Sequence, residues 1–331
     1  MCLMRKREKT TMSDVEVSVI CNAYNHEKYI RDALNGFVMQ KTTFPFEVLI
    51  HDDASTDHTA EIIREYEAKY PELIKPIYQT ENQYSKKLGA PRIFQEPRVR
   101  GKYIAFCEGD DYWTDPLKLQ KQYDALEAHP EVDMCAHMTQ AIMAESGRPF
   151  YFFRPARKNT VLSQEDVIFG GGGYVATASL FYRTKIIKDP PEFRKFMFLD
   201  YTLQIAGALR GGILYLDECM SVYRCGVAGS WSSRMNADRS KLKVHFEKVQ
   251  EMLQILNEET GGKYESVITM KVLANDVYQM EAKRPISLLF SEKYAKHFWK
   301  LSMKNRMQMI ETFWPLVAKI KRRVRTIIYG K

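Results

Sequence analysis

The chain has 331 residues, of which 45% are hydrophobic and 27% charged, with a formal net charge of +8. That is enough apolar material for one large core or two smaller ones, and too much for a disordered chain. Six cysteines without a C-x-x-C pair or a His/Cys ladder exclude a disulfide framework and a zinc module, and fit a reducing, cytosolic setting.

The opening MCLMRKREKTTMSDVEV is too weakly apolar for a secretory signal, and no later run reaches the roughly 18 apolar residues of a spanning helix, so neither export nor a membrane span is expected. From Val15 onward, strand-like and helix-like segments alternate. Val17 to Cys21 reads as a strand and His26 to Met39 as a helix. Phe46 to Ile50 is a second strand, and Ser55 is placed to cap a helix over Thr56 to Tyr70 with Asp57 in its first turn. Ile74 to Tyr78 and Lys102 to Phe106 follow as strands. Asp115-Pro116 has the pattern of an N-cap before a first-turn proline, opening a helix to about Ala128. This rhythm predicts an α/β fold with a doubly wound, mostly parallel, Rossmann-like sheet.

Ligands of such sheets bind beyond the carboxyl ends of the strands. Asn22-Ala23-Tyr24, Asp52-Asp53 and Asp110-Asp111 all fall on that rim. Cys107 to Asp115 (CEGDDYWTD) crowds Glu108, Asp110 and Asp111 together, an arrangement that needs either full solvation or a compensating cation. Further along, Gly170 to Gly173 lacks phosphate-loop spacing and reads as a flexible turn. Tyr174 to Arg183 reads as a strand, Asp200 to Leu209 as a helix and Gly212 to Leu216 as a strand, and residues 233–305 read as helical.

Residues 281–331 carry 13 Lys and Arg against 3 Glu, so the basic character belongs to the tail. Ile310, Phe313, Val317, Ile320, Val324 and Ile327 step by three and four, either as an interfacial helix drawn to anionic lipid or as a terminal helix packed on its own domain. Pro315 would interrupt a helix through it. No nucleic-acid-binding motif accompanies the charge, so no nucleic acid partner is expected.

Four blocks in order, VSVICNAYNHEKYIRDAL, FEVLIHDDASTDHTAEII, GKYIAFCEGDDYW and LYLDECMSVYR, resemble the glycosyltransferase family 2 enzymes of GT-A fold. The resemblance implies an inverting transfer of one sugar from a nucleotide-diphosphate sugar donor to an acceptor hydroxyl, with Mg²⁺ or Mn²⁺. It implies a GT-A domain over 15–232 (a nucleotide-binding half 15–140 and an acceptor half 141–232), a short tail before it and a helical region 233–331 after it. By residue, it implies nucleotide contacts at Asn22, Ala23, Tyr24, Asp52, Asp53 and Asp110, a metal at Asp110 and Asp111, and a general base at Asp200. The family's diphosphate histidine falls at Gly226, which leaves that role vacant or filled elsewhere.

A divalent ion suits hard carboxylate oxygens and takes only one or two from the protein when phosphates complete its shell. Asp200 is equally placed to cap a helix beginning at Tyr201. Tyr112 and Trp113 either pack on an acceptor sugar or brace the turn, and Lys86, Arg92 and Arg224 either approach the diphosphate or are ordinary structural or solvated charges. The expected setting is surface polysaccharide or lipid-linked glycan assembly at the cytosolic face of a membrane, with a glycan or lipid-linked acceptor. A sugar-1-phosphate nucleotidyltransferase would need a glycine-rich loop where CNAYNHEKY stands. A catalytically silent nucleotide-sugar-binding or membrane scaffold is the alternative from another class.

Overall fold

The computed structural model describes residues 15–86, 91–197, 199–279 and 285–314. Its strands are β1 (Val17–Ala23), β2 (Phe46–Asp52), β3 (Ile74–Tyr78), β4 (Tyr103–Phe106), β5 (Tyr112–Trp113), β6 (Met134–Met143), β7 (Pro149–Phe153), β8 (Thr160–Leu162), β9 (Phe181–Arg183) and β10 (Ile213–Cys225). The α-helices α1 (Ile30–Val38), α2 (Thr59–Lys69), α3 (Lys118–Ala128), α4 (Gln164–Gly170), α5 (Lys185–Lys188) and α6 (Glu192–Phe196) are followed by α7 (Asp200–Ala208), α8 (Trp231–Ala237), α9 (Arg239–Glu259), α10 (Glu265–Gln279), α11 (Glu292–Lys300) and α12 (Met303–Phe313).

The chain divides into two compact units. One comprises the described residues up to Thr160 together with Val175–Lys188 and Leu214–Cys225; the other takes Val161–Tyr174, Asp189–Ile213 and the described residues from Gly226 on. This division interleaves along the chain instead of falling at the 232/233 boundary expected from the sequence.

The first unit is built on the α/β sheet that the alternation predicts, in the order β3-β2-β1-β4-β9-β6-β10-β5, with β7 beside β6. β3, β2, β1 and β4 run parallel, and the antiparallel strands β9, β6, β7 and β5 extend the sheet. The parallel strands are apolar on both faces: Val17, Val19, Val48 and Ile50 are buried under α1, α2 and α3, while Ile20 and Leu49, on the opposite face, are buried as well, with Gln95 from the segment after β3 donating to the Cys21 and Leu49 carbonyls. α1 turns Ile30, Ala33, Leu34 and Phe37 inward at steps of three and four. After β1 the chain builds β2 and β3 on one side and then returns to place β4 on the other, so the β1/β4 edge is the topological switch point where a crevice opens.

Several expected boundaries move. Ser55 does not cap α2; the helix starts at Thr59, whose N–H is taken by Asp57 Oδ1 at 3.0 Å. Asp115, three residues before α3 begins, accepts from the Leu117 N–H at 2.8 Å, so it shapes the turn that leads into the helix. The expected strand over 174–183 is reduced to β9, because Thr177–Ser179 forms a 3₁₀ turn. Of the proposed basic-tail stripe, Phe313 is buried on the inner side of α12, Ile310 is partly buried, and Val317, Ile320, Val324 and Ile327 lie outside the described residues.

Trp113 is a core residue. Its Nε1 donates to the Ala178 carbonyl at 2.9 Å, Phe37 meets it edge-on at 4.9 Å, and the Lys118 ammonium lies 4.0 Å from a ring centroid. This corrects the acceptor-packing option for Trp113 in favour of a brace. Lys118 is fully buried and donates to Gln122 Oε1 at 2.7 Å; burial pushes its amine down to about 7. An unfolded lysine titrates near about 10.4, so the unfolded chain binds more protons between these values and stability should rise with pH across that window. Urea midpoints should therefore climb from about pH 7 to about pH 10, and Lys118→Met should flatten the climb; equal slopes for both proteins would contradict this.

Candidate active site

Three hydrogen bonds bring the acidic segments to the switch point. The Cys107 N–H donates to the Ile20 carbonyl at 3.1 Å, the Gly109 N–H to the Asn22 carbonyl at 2.9 Å, and the Asp53 N–H to the Ala23 carbonyl at 2.9 Å. In register, Ala23 sits opposite Asp52 and Asn22 opposite His51, so the two strand ends are level. The rim that the sequence pointed to therefore holds Asn22, Ala23, Asp52, Asp53 and the 108–111 turn together. Tyr24, 42% exposed, is not a core aromatic.

A second set of bonds joins the loop after β1 to the loop after β2. Asn25 Oδ1 accepts from the Thr56 N–H at 2.8 Å, Ser55 Oγ from the Asn25 N–H at 3.0 Å, Asp57 Oδ2 from the Glu27 N–H at 3.0 Å and Thr59 Oγ1 from the His26 N–H at 2.7 Å. Asn25 and Ala54 both hold positive φ, 55° and 60°; this left-handed conformation is costly for alanine, so it persists only because the bonded loops impose it.

The two aspartates after β2 differ in what their carboxylates do. Asp53 accepts from the Gln83 N–H at 2.7 Å and the Tyr84 N–H at 3.0 Å, so it organises the loop beyond β3. Asp52 is held by Ser55, whose N–H reaches its Oδ2 at 3.3 Å and whose side chain also bonds it, while its Oδ1 is buried without a partner and burial raises its pKa. A buried carboxylate oxygen left unpaired is expensive and is better explained by a ligand donor than by packing. Asn22 Oδ1 is likewise buried and unpartnered, and its Nδ2 donates to Glu108 Oε1 at 3.4 Å.

Within the acidic turn, Asp111 lies beneath and Asp110 faces outward. Asp111 is buried, and burial followed by the charge of Asp110 pushes its carboxyl well above the usual range. Its Oδ1 accepts from the Arg224 N–H at 2.8 Å. Asp110 is partly exposed, with Oδ2 4.0 Å from His26 Nε2. His26 was not singled out from the sequence. Its Nδ1 is buried without a partner, and burial lowers its pKa against the pull of Asp110, Asp57 and Asp52; its only sequence signal was a position just past the rim asparagine and tyrosine.

Arg224 closes the turn. Its guanidinium donates to the Asp110 carbonyl at 2.9 Å, pairs with Asp32, and lies 4.4 Å from the Tyr112 ring centroid and 5.0 Å from that of Tyr29. Two of its five donors are thus committed to the protein. Lys86 pairs with Glu81, and Arg92 stands exposed on the single π-turn Pro91–Gln95. In the second unit, Asp200 is the first residue of α7, and its Oδ1 accepts from the Tyr201 N–H at 2.6 Å, so its carboxylate serves the start of the helix as the capping alternative expected. Gly226 has a φ of +82°, a conformation in which a histidine would be strained.

Among the described residues no three His, Cys, Asp or Glu side chains are placed to hold a metal. The donor chemistry nevertheless fits an ion shared with phosphates: one partly exposed carboxylate, Asp110, in hard-oxygen surroundings, with the Glu108 carboxylate two residues before it.

Residues 18–189, just over half the chain, match the model of glycosyl transferase family 2, and the chain belongs to that family. A Mycobacterium tuberculosis protein described as uncharacterized is 41% identical over 227 residues, 68% of this chain and 63% of its own length. The poly(ribitol-phosphate) β-N-acetylglucosaminyltransferase TarS of Staphylococcus aureus is 29% identical over 180 residues, 53% of this chain and 29% of its own. The crystal structure of TarS 1–349 with UDP-GlcNAc superposes with a TM-score of 0.61 at 20% identity, covering 92% of this chain and 83% of that one, which establishes the GT-A-type fold.

The division of labour between the aspartates is testable. Asp53→Ala removes two charge-assisted bonds and should cost about 2 kcal/mol or more in urea unfolding, whereas Asp52→Ala should leave stability nearly unchanged and weaken nucleoside diphosphate binding in calorimetry; the reverse pattern would refute the assignment.

Proposed function

We propose that the chain is a metal-assisted, inverting glycosyltransferase that moves one sugar from a nucleotide-diphosphate sugar to an acceptor hydroxyl in the assembly of a surface polysaccharide or lipid-linked glycan. The observation that carries the reading is the convergence, at the β1/β4 switch point, of outward Asp110 with the unpartnered buried oxygens of Asn22 and Asp52. Family membership supports the reaction type, and the name of the relative TarS, a poly(ribitol-phosphate) β-N-acetylglucosaminyltransferase, supports a polymeric acceptor.

In this reading Asn22 and Asp52 accept hydrogen bonds from the nucleotide, and Tyr24 lies over its base. Asp110 would hold Mg²⁺ or Mn²⁺, which when bound offsets the charge that grows on the departing diphosphate. Asp111 positions the turn through the Arg224 N–H, so Arg224 acts as a clamp on the turn and leaves diphosphate contact to Lys86 or Arg92. Inversion requires attack on the face opposite the leaving group, and Asp200 takes the proton of the acceptor hydroxyl as that bond forms. Tyr112 is the remaining aromatic candidate for the acceptor sugar.

A nucleotide-sugar screen with Mg²⁺ and with Mn²⁺ tests the reading. Asp110→Asn should lower donor turnover by about 10²-fold or more, and Asp200→Asn should lower transfer by roughly 10²–10⁴-fold with nucleotide affinity unchanged. Nucleotide binding without turnover of any donor would favour the silent scaffold instead.

The same reading places the enzyme at a membrane surface. No helix among the described residues is long and apolar enough to cross a membrane. α11 and α12, however, expose Trp299, Met303 and Met307, and Trp314 just beyond, among Lys293, Lys296, Lys300 and Lys304. The full chain should co-sediment with phosphatidylglycerol vesicles and be released by salt; equal binding to neutral vesicles would contradict an electrostatic contribution.

A further inference from the structure

The run Gly170–Gly173, expected to be a flexible turn, is instead shaped closely by its neighbours within the second unit. A Cβ on Gly170 would meet the Tyr174 ring at 2.3 Å, one on Gly171 would lie 2.9 Å from Lys271 Nζ, and one on Gly172 would lie 3.2 Å from Asp200 Oδ1. Gly171 also holds a φ of +75°, which glycine alone adopts freely. A Cβ on Gly173 would meet nothing within 4 Å, so the run faces open space there.

Lys271, on α10, reaches Gly171 with its ammonium, and it has no hydrogen bond or ion pair among the described residues. The residue as a whole is partly exposed, and the burial it does have pushes the amine down to about 8. Lys304, also near the run, shows what a satisfied cation looks like here: it pairs with Asp166 at 3.2 Å and donates to the Tyr174 hydroxyl. The loop's other polar groups are mostly engaged. The Gly171 N–H donates to the Val167 carbonyl, the Tyr174 N–H to the Gly171 carbonyl, and Gln204 Nε2 to the Gly172 carbonyl. The N–H groups of Gly172 and Gly173 have no acceptor among the described residues.

An unpaired, desolvated ammonium beside two open amide donors suits an oxyanion with several oxygens. We infer that Lys271 and the backbone of Gly172 and Gly173 form a binding site for a phosphate group carried by the acceptor. The inference rests on the proposed role of Asp200, whose carboxylate lies against the same loop and would place the phosphate close to the attacking hydroxyl. A carboxylate offers two oxygens where a phosphate offers three or four, so phosphate is the better match for three donors. The donor's own diphosphate is the other source of the same chemistry, and the test separates the two.

Calorimetry with glycerol phosphate should show binding to the full chain that Lys271→Met weakens about tenfold, while UDP affinity stays unchanged. Acetylation of Lys271 in the unaltered protein, followed by mass spectrometry, should slow in glycerol phosphate and not in glycerol or glucuronate, a readout that needs no variant to fold. An unchanged acetylation rate, or a loss of UDP affinity in Lys271→Met in place of glycerol phosphate affinity, would overturn the inference. Donor turnover that depends on Asp110 would still stand in either case, so failure here is distinguishable from failure of the transferase reading.

Discussion

Glu108 and Asp110 crowd negative charge against the buried Asp111 carboxyl, and Arg224 is the group that ties the turn together. Its N–H satisfies the buried Asp111 carboxylate, its guanidinium holds the Asp110 carbonyl and the Asp32 carboxylate, and its flat face lies against Tyr29 and Tyr112. Because β10 supplies Arg224 and pairs through Val222 with Tyr112 of β5, the acidic turn is complete only when a strand more than a hundred residues downstream has joined the sheet. The antiparallel extension of the sheet is thus part of the site and not an ornament on a nucleotide-binding half.

The turn also divides tasks that adjacent aspartates share in sequence. Asp111 lies inward and braces, while Asp110 faces outward. After β2 the same division recurs, with Asp53 tied to the Gln83 and Tyr84 backbone and Asp52 left with an open oxygen. Each pair combines a carboxylate that holds the loop with one that the loop presents. Removing the first kind should cost structure and removing the second should cost binding, since a satisfied charge and an unsatisfied one contribute to stability with opposite signs.

The sheet and its rim were legible because both depend on long-range regularities: apolar strands covered on both faces, and acidic residues that repeatedly follow them. Helix starts were less legible, since Ser55, Asp57 and Thr59 are all capping residues and only the bond from the Thr59 N–H to Asp57 decides among them. The sequence could not choose between the two options for Trp113, nor bring His26 to the rim, because their surroundings come from Ala178 and from Asp110, 65 and 84 residues away. The glycine run does turn, as its composition suggests, but composition does not show that Tyr174, Lys271 and Asp200 crowd three of its four positions.

Two places in the fold gather polar groups of complementary kind. At the rim of the first unit, Asn22 Oδ1 and Asp52 Oδ1 are buried without partners, together with an imidazole nitrogen of His26. At the glycine run of the second, Lys271 contributes a cation and the less buried Gly172 and Gly173 contribute N–H donors. A buried polar group that lacks a partner costs about 1–3 kcal/mol, so the acceptors kept together at the rim have a use there. Acceptors and a carboxylate suit the N–H groups of a base and a metal ion, whereas a desolvated ammonium and open amides suit a phosphate. Each unit therefore carries the complement of a different portion of the two substrates, and neither complement is explained by packing alone.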